Sequence, residues 1–122
     1  MTPDQLRWRC LALPGAGEDF PWGDETSVFK VAGKVFAITA LGADPLEVSV
    51  KCDPALAESL RAAHTAVRPG YHLNKRHWNT VTVDGSLADD ELAAMVEDSY
   101  DLVVATLTRA QREGIAGTDS EA

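Results

Sequence analysis

The densest gathering of side chains suited to chemistry runs from Tyr71 through His72, Asn74, Lys75, Arg76 and His77 to Trp78. Cations interleaved with aromatics suit a phosphate backbone. Lysine and arginine neutralise phosphates, a guanidinium binds one bidentately, and an aromatic face stacks on a base or sugar. Asn74 can read a base edge or close a turn. Lys34, just after a hairpin turn, and Arg68, just before Pro69, extend this patch if the fold brings them near. Plainer readings stand beside these. Trp78 opens an apolar strand and fits a core, Tyr71 can pack locally, and Lys75 and Arg76 can solvate a loop or pair with an acidic helix. So few cations cannot make a dozen phosphate contacts, so nucleic-acid binding here is expected to be weak and salt-sensitive.

Other chemistry is poorly served. Asp84, Asp89, Asp90, Glu91, Glu97, Asp98 and Asp101 are hard oxygen ligands, but their spacing fits no calcium loop. They read as a solvated helix face whose first turn complements the helix dipole. His64, His72 and His77 are not spaced as a zinc site. Cys10 and Cys52 fall on apolar faces and read as small buried hydrophobes rather than a disulfide framework. Ser99 sits on the inner stripe of a helix, where its own backbone can satisfy it. His72 or His77 paired with Asp84 is conceivable as a catalytic general base, yet nothing supplies an oxyanion site. Gly15-Ala16-Gly17 lacks the strand before it and the helix after it that a phosphate-binding glycine loop needs. No catalytic residue, metal site or cofactor is expected.

The chain has 122 residues, a net charge of −8, 45% apolar and 25% charged residues. That is enough to build one core without a metal or disulfide staple. The charge is uneven. Residues 1–29 hold two basic and five acidic side chains, residues 30–83 seven basic and four acidic, and residues 84–122 two basic and ten acidic. Any anion-binding surface must therefore come from the middle of the chain. The overall charge disfavours a broad grip on nucleic acid. No apolar run is long enough for a membrane span and the start does not read as a signal peptide, so a cytoplasmic protein free of the membrane is expected. Every helix has an inner stripe and an outer polar face, so nothing forces a dimer and a monomer is expected.

The elements that must position these residues follow from pattern. Thr2, Pro3 and Gln5 form a capping signature for a first helix carrying Leu6, Cys10 and Leu13, ended by Pro14-Gly15. A loop then runs from Gly15 to about Thr26, with Phe20 and Trp22 expected to fold back as a plug on the core. Alternation predicts a hairpin over Ser27–Val31 and Lys34–Ala40, turned by Ala32-Gly33, and a strand over Leu46–Cys52. Asp53-Pro54 starts a second helix that ends near His64. A connection through Pro69-Gly70 follows, with room for a short strand around Tyr71, then a strand from Trp78 to Val83. A third helix, capped by Ser86, Asp89 or Asp90, is expected to run to about Arg112 and stop at Gly114. Residues 117–122 read as a disordered polar tail, leaving one domain over residues 1–116. Tight turns between strands argue an α+β fold, an antiparallel sheet with helices one and three on one face.

Three stretches, taken in order, resemble the MmcQ/YjbR-like family. They are Leu13–Glu18 with Pro21-Trp22-Gly23 and Phe29–Ala37; Pro69–Trp78 with Val81 and Asp84-Gly85; and Leu92–Leu107 with Ser99–Val103 inside it. The resemblance implies a CyaY-like α/β sandwich, the frataxin-type layout of helices on an antiparallel sheet. It also implies a DNA-binding label, attached through a proposed double-wing arrangement of hairpins. Frataxin-type iron binding uses acids on the first helix and its neighbouring strand. Here that helix has only Asp4 and carries Arg7 and Arg9, which argues against iron.

Three functional expectations result. The first is weak DNA contact through Lys34, Arg68, His72, Asn74, Lys75, Arg76 and His77. The second is a protein-interaction module using the same loop and the Phe20/Trp22 loop to hold an acidic protein or peptide. The third is a small-molecule-binding protein or an enzyme, with a pocket under the Trp22 loop lined by Trp22, Tyr71 and Trp78.

Overall fold

The Thr2 hydroxyl accepts a hydrogen bond from the Gln5 amide while Gln5 Oε1 accepts one from the Thr2 amide, so the capping box opens helix α1 at Pro3 and carries it to Leu11. The computed structural model describes residues 1–70 and 73–121, with side chains to Ile115. Four strands follow α1: β1 (Ala16–Asp19), β2 (Ser27–Val31), β3 (Lys34–Thr39) and β4 (Glu47–Lys51). Helix α2 (Pro54–Ala63) is capped by the Asp53 side chain on the Leu56 amide. Then come β5 (Val67–Pro69), β6 (Trp78–Thr82), α3 (Asp89–Ala105) and α4 (Arg109–Glu121). The strands form one antiparallel sheet in the order β1-β2-β3-β4-β6-β5. No helix among the described residues is long and apolar enough to cross a membrane.

Registry sorts the side chains into two faces, because successive strand residues point to opposite sides. Phe29, Ala37, Val50 and Asn79 form one row of paired positions, and Thr39, Val48, Val81 and Val67 the next. This face carries the core: α3 packs on β2, β3 and β4, while Leu6 and Cys10 of α1 join the same buried cluster. The α+β expectation, helices one and three over an antiparallel sheet, is what the fold contains. The opposite face is more polar but mixed. Its middle row holds buried Val28, then Ile38, Ser49, Thr80 and Arg68, with Lys51 beside Trp78 and Glu47 beside Thr82.

Several elements differ from expectation. Residues read as loop at 16–19 form β1, whose Gly-Glu-Asp composition gives no strand signal but whose backbone pairs with β2. The strand considered around Tyr71 lies earlier, at β5, and Tyr71 itself is outside the described residues. Phe20 and Trp22 do not plug the core. They are 44% and 68% exposed, because pairing of β1 carries the chain to the end of the sheet before they occur. No side chain caps α3, since Ser86 is already tied to the Asp84 carboxylate and Ala88 holds the cap position. The third helix also stops early. Thr108 and Gln111 exchange side chain–backbone hydrogen bonds, a second capping box that starts α4 where one long helix was expected. Helix α4 takes in residues 117–121 of the segment read as a tail, and Ala122 is outside the described residues.

Ser99 departs from expectation in an instructive way. Its hydroxyl donates to the Phe36 carbonyl at 2.6 Å and accepts from the Lys51 amide at 2.8 Å, rather than turning back on its own helix. Pairing between β2 and β3 slips by one residue at Phe36, and regular pairing of β3 with β4 begins only at Ala37 and Val50. Ser99, fully buried, inserts its hydroxyl where the next ladder bond would have formed. Its neighbour Tyr100 meets the displaced Phe36 ring edge-on, centroids 5.5 Å apart, and donates its hydroxyl to the Pro14 carbonyl at 2.6 Å.

Replacing Ser99 by alanine strands a buried carbonyl and a buried amide at once. A loss of about 1–3 kcal/mol is expected. Urea unfolding should show it as a lower midpoint with an unchanged slope.

Candidate nucleic-acid interface

Residues 73–77 connect to β6 through a tight turn built by Asn74. Its carbonyl accepts from the His77 amide at 3.2 Å and the Trp78 amide at 2.9 Å, and its side-chain oxygen accepts from the Arg76 amide at 3.0 Å. Of the two roles open to Asn74 from sequence, its Oδ1 fills the turn-closing one. The turn is tied to its surroundings on three sides. The Cys52 amide donates to the His77 carbonyl at 2.8 Å, joining it to the end of β4. The Gly70 amide donates to the Trp78 carbonyl at 2.8 Å, joining it to β5. A Cβ on Gly70 would lie 2.8 Å from the Trp78 Cβ, so only glycine permits that approach.

The third tie is Arg61, which the sequence reading did not single out. Its Nε donates to Asn79 Oδ1 at 2.7 Å, and its Nη2 donates to the carbonyls of Lys75 and, at 3.4 Å, Trp78. Asn79 is 1% exposed in an otherwise apolar and β-branched strand, and its amide nitrogen reaches the Ala57 carbonyl at 3.5 Å. A buried asparagine in such a strand demands partners. That was the one signal in the sequence that could have led to Arg61.

The turn presents Lys75 and Arg76 to solvent, with no ion pair to either head group among the described residues. His77 and Trp78 are half-buried. Lys34 lies at the same end of the sheet, its ammonium donating to Thr106 Oγ1 at 3.2 Å. Half-buried Lys51, paired with Trp78 on the polar face, joins the group although sequence reading passed it over. Arg68 stands differently: its guanidinium is committed to Glu47 and, at 3.3 Å, to Thr82 Oγ1. His72 and Tyr71 lie outside the described residues. Trp22 is at the opposite end of the sheet from Trp78, so the two do not line one pocket. On its helix side the basic group borders a groove of about 300 Å³ edged by Asp53, Asp98 and Asp101.

The remaining candidates carry structure. Among the described residues no three histidine, cysteine or carboxylate side chains gather closely enough to hold a metal ion. Both cysteines are buried. Burial, helped by the Glu18 carboxylate, pushes the Cys10 thiol up to about 12. Burial and then Asp53 and Asp98 raise that of Cys52. Neither is poised as a thiolate.

The YjbR family model matches residues 11–102, the whole sheet and most of α3. The chain belongs to the YjbR family. It is 39% identical over 113 residues to the uncharacterized protein YjbR of Escherichia coli strain K12, covering 93% of this chain and 96% of that one. It is 30% identical over 105 residues to the uncharacterized protein YbdF of Escherichia coli O157:H7, with 86% of each covered. The crystal structure of Deinococcus radiodurans protein DR2400, a DUF419 domain, superposes with a TM-score of 0.88 at 44% identity, covering 94% of this chain and 88% of that one. A Pseudomonas syringae protein gives 0.72 at 28% identity, with 84% and 98% covered. YjbR-family membership thus rests on sequence and fold together.

Two outcomes are expected for this YjbR-family chain. Arg61→Met should free the 73–77 turn, raising the rate of tryptic cleavage after Lys75 and Arg76 about tenfold, as read by mass spectrometry. The second concerns Cys10. A folded-state value above the ordinary 9.0 means the unfolded chain releases its proton first. Stability should therefore be intact below pH about 9 and fall as pH rises toward about 12, and urea midpoints should fall less steeply over that window in Cys10→Ala.

Proposed function

We propose that this protein contacts a nucleic-acid phosphate backbone weakly, through Lys75 and Arg76 on the Asn74 turn, with Lys34, Lys51 and His77 beside them. The observation that carries this reading is a contrast among the cations. Arg7, Lys30, Arg68 and Arg109 each hold a carboxylate, and Arg9 and Arg112, unpaired among the described residues, stand apart on helices, whereas Lys75 and Arg76 project side by side, without a counter-charge among the described residues, from a turn fixed by Arg61, Asn74 and Gly70. A fixed turn loses little conformational freedom on binding. Cations without a carboxylate partner are available to neutralise phosphates and so release the counterions condensed on the nucleic acid. The rings of His77 and Trp78 add flat faces beside them.

The same features limit affinity. The net charge is −8, and Asp53, Asp98 and Asp101 border the patch. With about three phosphates neutralised, affinity should drop roughly 40-fold for a fourfold rise in salt. Because the sequence is unread by such contacts, preference among duplex sequences should be slight.

Fluorescence anisotropy of labelled duplex and single-stranded DNA, at low and near-physiological salt, tests this. Binding should weaken with salt and disappear in Lys75→Glu/Arg76→Glu, both exposed positions whose change leaves the core intact. No binding at low salt, or binding untouched by that double change, overturns the reading.

A further inference from the structure

We infer that the cleft at the other end of the sheet docks a basic peptide segment of a protein partner. The cleft has a volume of about 700 Å³ and lies between the loop after β1 and the turn after β3. That is within the usual range of ligand sites. Its floor is built. Glu18 has a side chain only 9% exposed and accepts from Arg7 Nε at 2.7 Å and from Ser27 Oγ at 2.8 Å. Its walls are Phe20, Leu41 and Ala43, with the exposed carboxylates of Asp24 and Glu25 at the edge. Neither Asp24 nor Glu25 has an ion pair among the described residues.

The occupant's chemistry follows from this lining. Three carboxylates against one arginine leave the cleft negative, and that arginine is already spent on Glu18. A guanidinium or ammonium can therefore meet Asp24 and Glu25 while its methylene stem lies on the Phe20 ring. Trp22, two residues on in the same loop and 68% exposed, extends the apolar surface beyond the cleft. Solvent-exposed tryptophan and phenylalanine on a Pro/Gly-containing loop make the kind of anchor on which protein interfaces concentrate their energy. A phosphate polymer would be repelled here. The cleft lies at the opposite end of the strands from Lys75 and Arg76, so its occupation does not depend on the nucleic-acid reading.

The probe is a fluorescein-labelled, end-blocked peptide of alternating arginine and alanine, about eight residues long, titrated with the whole protein at low salt and read by anisotropy. Asp24→Asn/Glu25→Gln should weaken binding about tenfold, and Phe20→Ala about fivefold. Asp90→Asn/Glu97→Gln, the same change of charge at exposed positions of α3, should leave it within about twofold. All three variants alter exposed side chains, so the fold is kept. The proposal is overturned by no binding to the unaltered protein. It is equally overturned by equal weakening in both charge variants, or by Phe20→Ala binding as well as the unaltered protein.

Discussion

A helix hydroxyl completes a sheet in this molecule. Where β2 and β3 slip by one residue at Phe36, the ladder between β3 and β4 would be left with an unmet carbonyl and an unmet amide. Ser99 answers both, and thereby fixes α3 in height and rotation over the sheet. Because Tyr100 follows it, the same turn of helix clamps Phe36 and reaches the turn after α1. A larger residue at 99 would not fit between strand and helix, and a smaller apolar one would satisfy neither backbone group. The position of α3 in turn sets Asp98 and Asp101 along the groove beside Cys52, and so the electrostatic border of the basic turn.

The two ends of the strands have opposite character, and the chain's uneven charge is laid out along them. The basic middle of the sequence returns to one end four times: at the β2–β3 hairpin, the end of β4, the end of β5 and the Asn74 turn. The acidic first segment supplies the other end, where Glu18, Asp24 and Glu25 gather around an aromatic loop. An antiparallel sheet makes this possible, because it brings alternate connections to the same side. A chain of net −8 can thus keep a local cationic surface without cancelling it.

Where local chemistry decided a structure, the sequence showed it. Thr2 with Gln5, and Asp53 with Pro54, mark helix starts that form as read, and the Ala32-Gly33 turn joins strands placed within a residue or two of expectation. That turn holds both residues at positive φ, 49° and 79°, as a two-residue hairpin requires. What stayed hidden depends on partners distant in sequence. Strand β1 exists because β2 offers it an edge, not because Gly17 or Asp19 favours extension. The Thr108–Gln111 capping box was visible but masked by an apolar stripe that runs on to Leu107. At the candidate site, Lys75, Arg76 and His77 were legible by type. The pinning role of Arg61 and the commitment of Arg68 to Glu47 were not, since each needs a contact across strands or from helix to sheet.

The sheet's outermost strands are short, four residues in β1 and three in β5, and β5 ends in Pro69, which has no amide hydrogen to offer. Glu18 and Asp19 put charge on the second half of β1, and Arg68 on the middle of β5. Edges of this kind give a foreign strand little to zip onto. Recognition by lengthening the sheet is therefore discouraged, as is end-to-end stacking into fibrils. Whatever this domain holds, it must grip with side chains, which makes its partners separable by single substitutions rather than by remodelling the backbone.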